Sequence, residues 1–198
     1  MSLPFTHYKS TIDIQDMNTV IEAMKRFKLC NPEQQGTSCI YFMRTQFDTL
    51  YDDLEKHLFS SEIYDENSEE ALRRILYSLL NKFMLDYPNN GIEFESWINM
   101  LYFGRKDIYD EKFHDHYSMN KANNRLIPDK SLVLYIQMPN NLNNNDGVLF
   151  YKLNDEINEF LPNVGDVVVM DSKMSHVPNI APSSTIDRII LGLNIKIL

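Results

Sequence analysis

With 198 residues, 43% hydrophobic and 24% charged, the chain has the length and composition of one globular domain with an ordinary core. Its formal net charge of −9, with no cluster of Lys and Arg, argues against a nucleic-acid partner, which needs a basic face. The two cysteines, Cys30 and Cys39, are too few for a disulfide framework and lack zinc-ribbon spacing, so free thiols are expected. Met1–Tyr8 has neither a basic start nor an apolar run, and no stretch approaches the roughly 18 apolar residues of a membrane span. A cytoplasmic protein with no membrane contact is expected.

The N-terminal half, residues 1–90, reads as a helical supporting region. In Asp13–Phe27 the residues Ile14, Met17, Val20, Ile21 and Met24 recur at helical spacing, which predicts an amphipathic helix. Phe47–Phe59 repeats the pattern through Phe47, Leu50, Tyr51, Leu54 and Leu58. The strongest helix is Ser68–Leu85, with Leu72, Ile75, Leu76, Leu79, Leu80 and Phe83 on one face. Asn67 is its expected N-cap and Glu70 the capping-box partner. The segment Tyr87–Gly91 ends the helical region, since its Pro and Gly cannot continue a helix.

After Gly91 the hydrophobic period changes from that of a helix to that of a strand. Strands are predicted at Phe94–Phe103, Lys112–Ser118, Ser131–Met138, Val148–Leu153, Glu159–Leu161, Asp166–Met170, His176–Asn179 and Ile186–Ile197. Short β-branched and aromatic runs punctuated by Asn, Asp, Gly and Pro indicate a sandwich or barrel, and this number of strands fits a jelly roll. The Asn-rich Asn140–Asp146 reads as an exposed loop. Helices first and strands afterwards predict one domain, residues 1–198, in which the 91–198 barrel carries the helices on its outside.

Three of the five histidines occupy suggestive places. His114 and His116 flank Asp115, and on a regular strand residues two apart point to one face. Both imidazoles are therefore expected to face the interior while Asp115 faces away. His176 follows a Val run and a turn much later in the chain. Two ligands close together and one distant is how a barrel assembles three ligands around a metal with open positions. His7 and His57 lack such partners and receive no role.

The order of segments resembles the iron(II)/2-oxoglutarate-dependent oxygenase superfamily, with a look of its phage and bacterial members that carry an HxH motif. Ser96–Asn99 (SWIN) is similar to the opening core strand, and His114–His116 to the proximal metal motif. Ser131–Pro139 (SLVLYIQMP) and Asp146–Phe150 (DGVLF) resemble the following strands. Pro162–Asn179 (PNVGDVVVMDSKMSHVPN) with Arg188–Asn194 (RIILGLN) resembles the family's distal half. The N-terminal region carries no part of the resemblance.

The resemblance implies a double-stranded β-helix of jelly-roll, cupin-like type. It implies Fe(II) held by His114, His116 and His176, and 2-oxoglutarate as cosubstrate. Arg188, twelve residues after His176, would bind the far carboxylate of 2-oxoglutarate through a guanidinium fork. Tyr135 would add its hydroxyl, and Asn194 would line the cosubstrate pocket. The activity implied is oxidation, by hydroxylation, of a small molecule or a protein side chain. The chain departs from the family's commonest motif, HxD, by placing His116 where a carboxylate stands; a bulge that turned Asp115 inward would restore the usual set. Two other readings stand beside this one: a cupin-type metal enzyme without 2-oxoglutarate, and a non-catalytic module that keeps the fold.

Overall fold

A computed structural model describes residues 4–30, 41–56, 65–101, 113–138, 147–178 and 186–198. The strands are β1 (Phe5–Lys9), β2 (Tyr41–Thr45), β3 (Ile92–Leu101), β4 (Lys130–Gln137), β5 (Leu149–Leu153), β6 (Glu156–Phe160), β7 (Asp166–Asp171), β8 (His176–Pro178) and β9 (Arg188–Ile197). The helices are α1 (Ile14–Cys30), α2 (Leu50–Lys56), α3 (Glu66–Met84) and α4 (His116–Ala122). The expectations for the Asn140–Asp146 loop, Pro139, His57 and Cys39 fall outside the described residues, as does the side chain of Cys30.

Two antiparallel sheets face each other. The larger has six strands in the order β1-β7-β4-β9-β3-β2, and the smaller has three in the order β6-β5-β8. The long strands β4, β7 and β9 lie inside the larger sheet with both faces covered, which is why they read as nearly continuous apolar runs. Along β4, Leu132, Leu134 and Ile136 turn outward into a core shared with α1, α2 and α3. Val133 and Tyr135 turn inward and pack with Leu149 of β5, Val168 and Met170 of β7 and Ile190 of β9. This is the double-stranded β-helix expected, with helices on the outer face of the larger sheet.

Helix α3 buries the stripe that the spacing predicts, through Leu72, Ile75, Leu76, Leu79, Leu80 and Phe83. It starts earlier than predicted. The N-cap is Asp65, not Asn67; its extended backbone lets its carboxylate accept from Ser68 N at 2.9 Å and Ser68 Oγ at 2.6 Å. Ser68 is buried, so the cap also gives its hydroxyl an acceptor, while the same oxygen accepts from Arg26 at 3.3 Å. No helix among the described residues is long and apolar enough to cross a membrane.

The region read as wholly helical contains two strands. β1 pairs with β7 from Phe5↔Met170 to Lys9↔Asp166, and β2 pairs with β3 from Tyr41↔Ser96 to Thr45↔Ile92. They occupy the two edges of the larger sheet. Each is five residues long, too short to display a periodicity of its own.

The strand predicted at Lys112–Ser118 is not formed over its described part, residues 113–118. His114 makes one isolated antiparallel bridge to His176, through His114 N to His176 O at 3.1 Å and His176 N to His114 O at 2.9 Å. The chain then turns at once into α4. Asp115 is the N-cap of that helix, its carboxylate accepting from Ser118 N at 2.6 Å. A local side-chain bond to the backbone here outcompetes a sheet ladder.

Candidate metal centre

The bridge and the helix cap together aim the histidines. His114 is fixed as an extension of the smaller sheet beside β8, and His116 is the first residue of α4. His176 opens β8. The rings of His114 and His116 lie parallel within 4°, with centroids 5.9 Å apart, and each faces His176 at 4.6 and 4.9 Å. One ring nitrogen from each of the three falls within 4.8 Å of the other two. Points no farther apart than that share a centre within about 2.8 Å of each, against an imidazole–metal bond of about 2.1 Å. Ring rotations of less than about 1 Å close the set on one ion. Asp115 stands outside it, because its carboxylate is spent on the cap rather than because a strand alternates.

Hydrogen bonds settle which nitrogen is available on two of the rings. His176 Nδ1 lies 3.0 Å from the carbonyl oxygen of Met174. A carbonyl only accepts, so Nδ1 carries the proton and Nε2 keeps its lone pair. His116 Nδ1 lies 2.7 Å from Asn194 Oδ1, which also accepts from Ser131 Oγ at 2.9 Å. The same tautomer follows, with Nε2 again free to bind.

Burial also favours the neutral imidazoles that a metal requires. It pushes His116 down to about 4, opposed by the bond to Asn194 and helped by the neighbouring His114. It pushes His176 down to about 3, helped by His116 and, more weakly, by the positive charge of Arg188. Both are unprotonated at neutral pH, so no proton has to be displaced for a divalent ion to bind.

The expected cosubstrate residues divide between two places on the inner face of β9. Arg188 and Asn194 share that face but stand at opposite ends of the strand. Arg188 is 4% exposed, and its guanidinium carbon lies 5.3 Å from the centre of the Tyr135 ring. Arg188 Nε and the Tyr135 hydroxyl are both buried with no hydrogen-bond partner among the described residues, as is Asn99 Oδ1. Asn99 and Tyr135 flank Ile190 in register on the neighbouring strands. Burial pushes the Tyr135 hydroxyl up, opposed by the charge of Arg188. Asp187, the adjacent carboxylate, turns outward and is held by Lys28 of α1 at 2.7 and 2.8 Å. Among the described residues, Arg188 Nε and the Tyr135 hydroxyl thus face each other's side chains with no acceptor between them. Asn194, by contrast, is bonded to His116, Ser131 and Glu95, so the structure places it against a histidine of the cluster.

Four further residues complete the centre. Glu95 and Asn120 belong to the network behind Asn194. Trp97 sets its ring 5.4 Å from that of His116. Gly192, its register partner, leaves room for that ring: a Cβ there would stand 2.3 Å from the indole. The alternation of β3 was the available signal, since Glu95, Trp97 and Asn99 share one face; a polar face there reads equally well as solvent-facing.

No protein-family model matches the sequence, and no curated protein matches it. Solved structures do match in shape. A prolyl-4-hydroxylase from Pseudomonas putida aligns with a TM-score of 0.57 at 13% identity, covering 98% of this chain and 87% of its own. The Fe(II)/α-ketoglutarate-dependent dioxygenase TqaL aligns with a TM-score of 0.57 at 12% identity over 98% and 82%. SnoK, a non-heme α-ketoglutarate-dependent carbocyclase from nogalamycin biosynthesis, aligns with a TM-score of 0.58 at 11% identity over 97% and 79%. The chain has the double-stranded β-helix fold of the iron(II)/2-oxoglutarate-dependent oxygenases.

Proposed function

We propose that this protein is an iron(II)/2-oxoglutarate-dependent oxygenase that hydroxylates a small molecule or a protein side chain. His114, His116 and His176 are its metal ligands, and Arg188 with Tyr135 receives the far carboxylate of 2-oxoglutarate. One observation carries the reading: inside one barrel, a three-histidine cluster coexists with a buried guanidinium that no carboxylate among the described residues pairs. An uncompensated buried charge is costly, by several kcal/mol even after relaxation. A metal-chelating dicarboxylate removes that cost and satisfies the Tyr135 hydroxyl as well. A cupin-type enzyme without 2-oxoglutarate has no comparable use for Arg188.

Bound iron(II) and 2-oxoglutarate supply the oxidising chemistry, with O2 consumed and succinate and CO2 released. The chain's own contribution is positioning. His116 and His176 present Nε2 in fixed tautomers, each through a hydrogen bond on the opposite nitrogen. The Arg188 fork orients the dicarboxylate, and Val133, Val168 and Ile190 keep the barrel interior dry between its two polar ends. Three neutral imidazoles leave one more unit of positive charge at the ion than a set with a carboxylate, which favours an anionic chelator in the open positions.

Anaerobic calorimetry tests the assignment. Mn(II) should bind wild type at one ion per chain, and His176→Ala should abolish that binding. Arg188→Ala should keep Mn(II) affinity and lose about 2–5 kcal/mol of 2-oxoglutarate affinity, the range for truncating one partner of a buried charge pair. Full Mn(II) occupancy in His176→Ala would reject the metal site.

A further inference from the structure

Behind His116 lies a row of buried polar side chains that crosses three strands. Glu95 on β3, Asn194 on β9 and Ser131 on β4 are register neighbours on one face. All three are buried, Glu95 to 3% exposure. The Glu95 carboxylate is ion-paired with Arg125, at 3.1 Å to Oε1 and 3.2 Å to Oε2. It also accepts from Asn120 Nδ2 of α4 and, at 2.9 Å, from Asn194 Nδ2. Asn120 Nδ2 reaches the Leu126 carbonyl oxygen as well, at 2.6 Å.

The direction of these bonds is not free. An ionised carboxylate has no proton to give, so Asn194 must turn its NH2 toward Glu95. Its oxygen is thereby forced to the other side, where it meets Ser131 Oγ and His116 Nδ1. An amide oxygen cannot donate, so the proton of neutral His116 must sit on Nδ1. Nε2 is then the nitrogen left for the cluster. A neutral histidine without such a constraint divides between two tautomers, and the Nε2–H form cannot bind a metal through that atom.

We propose that Glu95 is a positioning residue: acting through the Asn194 amide, it sets His116 in the tautomer whose Nε2 can bind metal. The consequence for metal affinity rests on the function proposed above, whereas the tautomer is a property of the metal-free protein. The row also explains why a carboxylate is buried at a strand centre, a location that is costly unless every oxygen is satisfied.

Histidine ring 15N spectra of the metal-free protein test this. Wild type should show His116 with a protonated Nδ1 and an unprotonated Nε2. In Glu95→Gln the new side chain can donate as well as accept, so the Asn194 amide is released to flip and offer NH2 to His116. An Nε2–H form of His116 should appear and Mn(II) affinity should fall by about 10–100-fold, the range for removing a partner of a ligating histidine. His176, held by the Met174 carbonyl, should keep its tautomer.

The double variant Glu95→Gln/Asn194→Asp restores an acceptor-only group against His116 and a donor against that acceptor, at unchanged net charge. It should recover the Nδ1–H form and most of the affinity, an outcome that mere loss of packing would not produce. An Nε2–H His116 in wild type, or a tautomer unmoved by Glu95→Gln, overturns the proposal. If Glu95→Gln does not fold, the wild-type spectrum and the double variant decide. A shifted tautomer with unchanged Mn(II) affinity would uphold the lock and overturn the metal assignment instead.

Discussion

Gly192→Ala is a substitution whose cost can be worked from the geometry. A Cβ at position 192 would stand 2.3 and 2.4 Å from two carbons of the Trp97 ring and 2.9 Å from its Nε1. Carbon atoms in contact prefer about 3.5–4.0 Å, so the indole must retreat by more than about 1 Å. The ring is itself 5.4 Å from His116, and strands β3 and β9 are locked in register over their whole length. Overpacking of this kind typically costs about 1–3 kcal/mol. With the ring removed the sign should reverse, because Gly inside a strand is worse than Ala by roughly 0.5–1 kcal/mol. Urea unfolding of wild type, Gly192→Ala, Trp97→Ala and the double variant measures both terms in one cycle. The expected result is a destabilising substitution in wild type that becomes neutral or stabilising beside Trp97→Ala. Equal costs in the two backgrounds would refute the claim that the indole is what requires a glycine.

The metal-free protein should lose stability as pH falls from 7 to 5. His116 and His176 are held at about 4 and about 3 in the fold, so only the unfolded chain, near 6.5, takes up their protons in that window. The loss should be about 2 kcal/mol per histidine, read from urea midpoints with a chelator present, and a pH-independent midpoint would contradict it. Asp115→Ala should cost about 1 kcal/mol through loss of the α4 cap while retaining Mn(II) affinity, whereas His116→Ala should lose the metal. The reverse pattern would mean that Asp115, not His116, completes the set.

Much of this architecture is legible in the residues because the central strands and α3 are decided locally. The Val run of β7 and the apolar β4 are nearly continuous apolar segments, and the stripe of α3 has a clear helical period, patterns that their tertiary surroundings simply accept. The segment around His114 is different. HDHYS alternates as a strand does, yet Asp115 is also a strong helix cap, and the cap wins once His114 has only one residue of partner to pair with. Both geometries put His114 and His116 together, so the cluster was foreseeable even though the element was not. Glu95 and Gly192 were not foreseeable, since their reasons are the amide of Asn194 and the ring of Trp97. A carboxylate alternating with Ile92, Phe94 and Ile98 reads as solvent-facing until Asn120 of α4 and Arg125 close over it. Asn194 was expected near the cosubstrate because of its place in RIILGLN, but its two hydrogen-bonding ends are committed to Glu95 and to His116 with Ser131.

The central claim joins the histidine cluster to Arg188 through one dicarboxylate, and an anaerobic optical titration tests that join directly. Protein loaded with Fe(II) and titrated with 2-oxoglutarate should develop the weak visible charge-transfer band of a chelated 2-oxo acid, saturating at one equivalent per chain. Arg188→Ala should require far more 2-oxoglutarate to reach the same band, because the buried fork that holds the far carboxylate is gone. An iron-loaded wild-type protein that shows no band at millimolar 2-oxoglutarate would contradict the account.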